Sequence, residues 1–482
     1  MEFTKLYKTF KPESIDILLK NGDVYTGSGG SNNYIIVDKE QVLKIIPNFK
    51  KPWQLIQKYQ NDQEEIKFYK FFTNNLILKN KTPHIVGSYK SIKINLKTLI
   101  DKYYKYCKDN NTDEKIKTKF ENLITKHYFN TNKHKKNKNN YKKNKNFIYK
   151  LINLFKSNSK KTVKKQKKNI NTKKNNNLNK TKKYNKIEEN VTKTLCNYKI
   201  NKCGTFLWNQ ELDNMFDGVY LENCSETISN YFYNEILNNK INSDNIPINT
   251  EMFINRIIFQ YSFTMCAIYD VLPNFIHNDM FLRNIMARVE NKYSDNDFVE
   301  YIYKKNGINK DDKIVFYLPA NGIYIKINDF GFSLANPKIG DKMLSKGFIN
   351  REKCIDKYTE FHPNMSADNT HNNDTFNFLH DLYDGGNFGQ DSLMNLIKNN
   401  KTLKNKVKII NSVKNTIKQY LDIDIIDKIN EINKNELDRI WNINNIPELE
   451  ATIQHPLNYL KNNFKMFNNK PNNATIINTY IF

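Results

Sequence analysis

His277-Asn278-Asp279-Met280-Phe281-Leu282-Arg283-Asn284 and, further along, Asn328-Asp329-Phe330-Gly331 decide the reading of this chain. Two acids and an amide in that order are what transfer of a phosphoryl group from a metal-bound nucleotide requires. The metal must be held from two directions while a base meets the acceptor hydroxyl. Asp279 fits the base, Asn284 the neutral oxygen ligand, and Asp329 the acidic ligand that shares the metal with the phosphates. Between the motifs, Lys313-Ile314-Val315-Phe316-Tyr317-Leu318 and Ile323-Tyr324-Ile325-Lys326-Ile327 read as strands about a turn at Asn321-Gly322, a hairpin expected to deliver Asp329.

Toward the N-terminus, Asp23-Val24-Tyr25 leads into a turn carrying Gly27, Gly29 and Gly30, then Ile35-Ile36-Val37, then Gln41-Val42-Leu43-Lys44-Ile45-Ile46. Glycines allow main chain to close over phosphates without a Cβ in the way, although hairpins use them for the same steric reason. Lys44 gives the turn its meaning, because a lysine inside an apolar strand needs charged partners such as phosphates and a carboxylate. The segment from Asn61 to Lys79 places Ile66, Tyr69, Phe72 and Leu76 at helical spacing, with Glu64 and Glu65 near its start. Glu65 is the expected partner of Lys44, and Glu64 is the alternative. After Ile85-Val86 the chain passes directly into polar sequence where another strand would be expected.

The bulk numbers exclude several classes. The 482 residues, 39% hydrophobic and 13% aromatic, suffice for two real cores. The net charge of +26 suggests a polyanion binder until it is located. From Thr131 to Lys186 there are 21 Lys and no Arg, Asp or Glu, so most of the charge belongs to one stretch. Such a segment buries too little apolar surface to offset the entropy of ordering, so residues 104–190 are expected to be a largely disordered basic insert. It is read either as a solvated insert or as a contact for polyanions, nucleic acid or acidic membrane. Six scattered Cys without a C-x-x-C pair indicate neither a zinc site nor a disulfide framework. No signal-like leader or spanning run is apparent, so an intracellular chain without a transmembrane segment is expected.

Globular sequence resumes near Leu195. Thr205-Phe206-Leu207-Trp208 and Gly218-Val219-Tyr220-Leu221-Glu222 read as two strands running to a linker at Glu222-Asn223-Cys224, whose main chain would meet an adenine edge. An apolar helix from Glu251 to Val271 then leads into His277.

These residues together resemble the eukaryotic-type protein kinase superfamily, and more narrowly the divergent serine/threonine-protein kinases of large DNA viruses, poxvirus and giant-virus types. Asp374-Thr375-Phe376-Asn377-Phe378-Leu379-His380-Asp381-Leu382 resembles the large-lobe helix whose Asp supports the catalytic loop, and His455-Pro456-Leu457-Asn458-Tyr459-Leu460 resembles the closing segment of the poxvirus enzymes. The resemblance implies an α+β, bilobal kinase-like fold with a small antiparallel-sheet N-lobe and a mainly helical C-lobe. The N-lobe would span 1–103 and, after the insert, 191–222 with the hinge; the C-lobe would span 223–482. It implies ATP and Mg²⁺ as cofactors and a protein substrate, with host cytoplasm or virion as the location of a viral enzyme. By the same resemblance Gly27, Gly29, Gly30, Lys44, Glu65 and Glu222 bind the nucleotide. Asp279 is the base, Arg283 its catalytic neighbour, and Asn284 and Asp329 hold the metal.

The departures from the family pattern are specific. Asn32 stands where a third glycine is usual, Tyr34 where a valine covers adenine, Asn278 where an arginine precedes the base, and Phe281 where a lysine neutralises the transferring phosphate. Arg283 is the nearest substitute for that lysine. Two other functions compatible with the same motifs are a small-molecule kinase of the aminoglycoside or choline type and a pseudokinase scaffold that binds through its basic insert.

Overall fold

The computed structural model describes residues 2–11, 23–26, 33–36, 40–47, 63–94, 216–224, 226–238, 245–273, 275–304, 313–333, 335, 371–384, 392–424, 426–427 and 453–482. The chain divides into two compact units, one of residues 1–119 with 211–482 and one of residues 120–210, and every described residue lies in the first. The expectations for Gly27, Gly29 and Gly30, for Thr205–Trp208 and for the basic insert at 104–190 fall outside the described residues.

The architecture is mixed, with small sheets and packed helices. A five-stranded antiparallel sheet, in spatial order β1-β2-β3-β5-β4, is built from β1 (Asp23–Thr26), β2 (Asn33–Ile36), β3 (Gln41–Pro47), β4 (Ser88–Ile94) and β5 (Phe216–Glu222). Thus the chain does form a strand after Ile85-Val86, contrary to the sequence expectation, and residues 95–215 separate β4 from its partner β5 along the chain. Lys90 and Lys93 disguised this strand. They lie exposed on the edge of the sheet, where lysines are tolerated and discourage pairing with other chains. An N-terminal helix, α1 (Glu2–Thr9), lays Phe3 on Tyr89, with ring centroids 4.7 Å apart. Phe3 also comes so close to Gly87 that a Cβ there would collide with its ring.

Helix α2 (Gln63–Phe72) continues through one wider turn, Thr73–Ile77, and buries Ile66, Phe68, Tyr69, Phe72 and Leu76 along one face. After the short β6 (Glu226–Thr227) and α3 (Ile228–Tyr231) comes α4 (Ile246–Val271), which is buried on nearly all sides because it forms the axis of the helical core. Its Phe259 meets Tyr301, Phe316, Phe464 and Phe467 edge-on at 5.0–5.4 Å. No helix among the described residues is long and apolar enough to cross a membrane.

A second correction concerns the strands before Asp329. β7 (Ile285–Glu290) pairs with β10 (Gly322–Ile327), not β9 (Lys313–Pro319) with β10. β9 instead pairs with β8 (Asp297–Lys304), and β11 (Thr475–Ile481) adds to β8 in parallel. The connection between β9 and β10 is held open. Arg256 collects the carbonyls of Pro319, Asn321 and Ile323, while the Asn321 amide is locked to the main chain of Tyr293. Gly322 adopts φ 105°, and a Cβ there would lie 2.9 Å from Arg256 Nη1. Alternation in the sequence shows that strands exist but does not name their partners.

The loop between α2 and β4 is fastened to this region. Ile327 N donates to His84 O and Val86 N to Ile327 O, each at 3.0 Å. His84 Nδ1 lies 3.2 Å from the Ile325 carbonyl and Nε2 2.9 Å from the Tyr301 hydroxyl. This arrangement suits one neutral tautomer, with Nδ1–H donating and Nε2 accepting. Burial, then the charge of Lys326, holds this histidine well below its usual pKa. The remaining described helices are α5 (His371–Tyr383), α6 (Leu393–Asn399), α7 (Lys406–Ile417) and α8 (Pro456–Asn462).

Candidate active site

Lys44 sits in the middle of β3, fully buried, and its ammonium is paired with Glu65 of α2 and, at 3.1 Å, with Asp329 Oδ1. Three segments distant in sequence therefore meet at one cation. The Lys44–Glu65 pair is enclosed, but the Asp329 side chain is 35% exposed, so its end of the cluster faces solvent.

Asp329 follows the end of β10, and its main chain is left-handed, φ 62° and ψ 69°. A non-glycine residue in that region is strained by about 1–3 kcal/mol and persists only where its surroundings hold it. Here they do. Phe330 is buried among Tyr69, Phe72 and His277, with ring centroids 5.0–5.3 Å away. The Tyr69 hydroxyl accepts from Asp329 N at 3.1 Å and donates to Asn328 Oδ1.

The loop from His277 to Asn284 is pinned by α5. Asp374, wholly buried, accepts from His277 N at 2.6 Å and from Asn278 N at 3.0 Å, while Asp381 accepts from Leu282 N at 2.7 Å. Asp374 and Asp381 are two turns apart on one helix, so a single rigid element fixes both ends of the loop. The resemblance implies one Asp of this helix beneath the loop, and two of them reach it. Asn278, like Asp329, has positive φ (63°).

Within the loop Asn284 Nδ2 donates to Asp279 Oδ2 at 2.8 Å and to Asp279 O at 2.7 Å, which turns the Asn284 carbonyl oxygen away from Asp279. Arg283 pairs with Asp279 Oδ1 and lies over the Phe281 ring, 4.6 Å from its centroid. The two motifs are stitched together: Asn328 N donates to Asn284 O at 2.9 Å, and His277 Nε2 lies 3.0 Å from Asn328 O. Burial lowers the His277 pKa against the opposing charge of Asp279, so the ring is a neutral donor here.

Glu222 lies outside this cluster. At the end of β5 it is in register with Gln41 of β3, on the opposite face of the sheet from the Lys44–Val219 pair, and its carboxylate binds Lys326 at 2.8 Å and Arg288 at 2.9 Å. Burial alone would raise its pKa, but those two cations win and lower it. Its N–H donates to Gly87 O, and that of Asn223 to Glu40 O, each at 2.8 Å. Glu222 thus closes an ion network behind the sheet.

No protein-family model matches the chain. A protein of Acanthamoeba polyphaga mimivirus named as an inferred serine/threonine-protein kinase is 33% identical over 495 residues, covering 99% of this chain and 98% of that protein. A second mimivirus protein with the same designation is 33% identical over 110 residues, 22% of each chain. With full-length similarity of that degree, the chain belongs to the divergent serine/threonine-protein kinases of large DNA viruses.

Proposed function

We propose that this chain transfers the γ-phosphate of ATP to serine or threonine hydroxyls of proteins, at a cleft between a small N-terminal lobe and a helical C-terminal lobe. The observation that carries the reading is the meeting of Lys44, Glu65 and Asp329, beside a loop that presents Asp279 and Asn284.

The donor set suits magnesium. Asp329 and Asn284 offer hard oxygens, the ligands suited to an ion that takes one or two protein oxygens and completes its shell with phosphates and water. Bound Mg²⁺ would supply charge neutralisation at the β- and γ-phosphates. The protein's own part is positioning and proton transfer. Lys44, kept in place by Glu65, would hold phosphate oxygens in exchange for its contact with Asp329. Asp279 would take the proton of the acceptor hydroxyl on a lone pair that Arg283 and Asn284 leave open. Arg283, adjacent to that base, would offset charge on the transferring group in place of the absent lysine.

Full-length protein incubated with γ-labelled ATP and Mg²⁺, with casein and basic proteins in one set of reactions and aminoglycosides and choline in another, tests the assignment. Label on serine or threonine of the proteins is expected. Label confined to the small molecules would overturn it in favour of a metabolite kinase, and no transfer at all in favour of a scaffold.

A further inference from the structure

The Tyr69 hydroxyl is placed as a latch on the metal-binding end of β10, and we infer that it is a positioning residue for Asp329. The inference rests on the reading of Asp329 as a metal ligand. Tyr69 reaches three consecutive residues at once: its hydroxyl donates to Asn328 Oδ1 and accepts from Asp329 N at 3.1 Å, and its ring meets Phe330 edge-on at 5.0 Å. The same ring lies 5.9 Å from Lys44 Nζ, and Tyr69 stands one helical turn beyond Glu65 on α2. One side chain therefore links the helix that supplies the lysine's partner to the main chain that supplies the carboxylate.

Packing alone does not need the oxygen. A phenylalanine would fill the space against Phe330 equally well. What the hydroxyl adds is a fixed acceptor for the Asp329 amide, at a residue whose backbone is left-handed and would relax if released. It also orients the Asn328 side chain, while the Asn328 main chain is held separately by Asn284 and His277. The latch thus acts on the dihedral angles that aim the Asp329 carboxylate. It also makes that aim depend on where α2 sits: moving the helix would withdraw Glu65 from Lys44 and the hydroxyl from Asp329 in the same displacement.

Tyr69→Phe in the full-length chain isolates the hydroxyl. Hydrogen exchange of the metal-free protein should show the amides of 328–330 exchanging about tenfold faster than in the wild type, with α4 unchanged, because the released segment opens locally. The Mg²⁺ concentration that half-saturates enhancement of ATP binding should rise about fivefold, and kcat should fall further than KM for ATP changes. Asn328→Ala removes the other partner of the same hydroxyl. It should reproduce part of the effect, and the double variant should be less impaired than the product of the two singles, as coupled neighbours are. Wild-type exchange at 328–330 together with wild-type Mg²⁺ dependence in Tyr69→Phe would overturn the inference. A wild-type chain that binds Mg²⁺–ATP yet phosphorylates nothing would sink the proposed function, but would leave the exchange and binding results to support the latch.

Discussion

Asp279→Asn is expected to lower kcat by about 10²–10⁴-fold, the range that a positioned general base supplies, while KM for ATP changes by less than about threefold. The substitution keeps size and removes the basicity, the charge and one of the two acceptor oxygens. The wild-type carboxylate accepts from Arg283 at one oxygen and from Asn284 at the other, so a carboxamide must turn its NH₂ toward one of these two donors. Part of the loss will therefore come from a disturbed loop. The separation lies in the kinetic constants: loss of the base falls on kcat, whereas a displaced Asn284 would also weaken binding of metal and nucleotide. Steady-state transfer to a protein acceptor measures both, and a kcat within tenfold of wild type would exclude Asp279 as the base.

Asp374→Ala is expected to cost about 3–5 kcal/mol of folding stability and to abolish transfer. Two main-chain N–H groups, of His277 and Asn278, would lose their acceptor in a wholly buried site, and each orphaned donor costs about 1–3 kcal/mol. Against a typical domain stability of about 5–15 kcal/mol this is a large fraction. Asp374→Asn, which retains one acceptor oxygen, should recover about half of it. Urea unfolding followed by tryptophan fluorescence and by circular dichroism gives the comparison. A loss below about 1 kcal/mol for the alanine variant would mean that the two amides find other partners, and that α5 does not set the loop.

Much of this site was legible because its residues contradict their surroundings. A lysine in an apolar strand demands a carboxylate, and the helix that follows offers Glu65 on its buried side. Asp279 and Asn284 can be related by spacing alone because both belong to one short loop. The strands were harder. Lys90 and Lys93 made β4 resemble the polar sequence beyond it, since an edge strand needs a buried face only on one side. The β9 strand was assigned to the wrong neighbour because the decisive contacts, Arg256 on the 319–323 carbonyls and Asn321 on Tyr293, come from side chains remote from the turn they shape. Tyr69 was read as one apolar position in a helical pattern, and periodicity carries no trace of where a hydroxyl points. Parallel pairing of β11 with β8 joins residues well over a hundred positions apart, and nothing local in either strand announces it.

The most direct test is calorimetric titration of ATP into the full-length wild type and Asp329→Asn, each with Mg²⁺ and with chelator. If Lys44, Asn284 and Asp329 together hold a metal-bound nucleotide, Mg²⁺ will tighten ATP binding to the wild type by about tenfold or more, a coupling typical of linked ligands, and will do little for the variant. An Asp329→Asn protein that keeps the full Mg²⁺ enhancement, or a wild type whose affinity for ATP ignores the metal, would contradict the account.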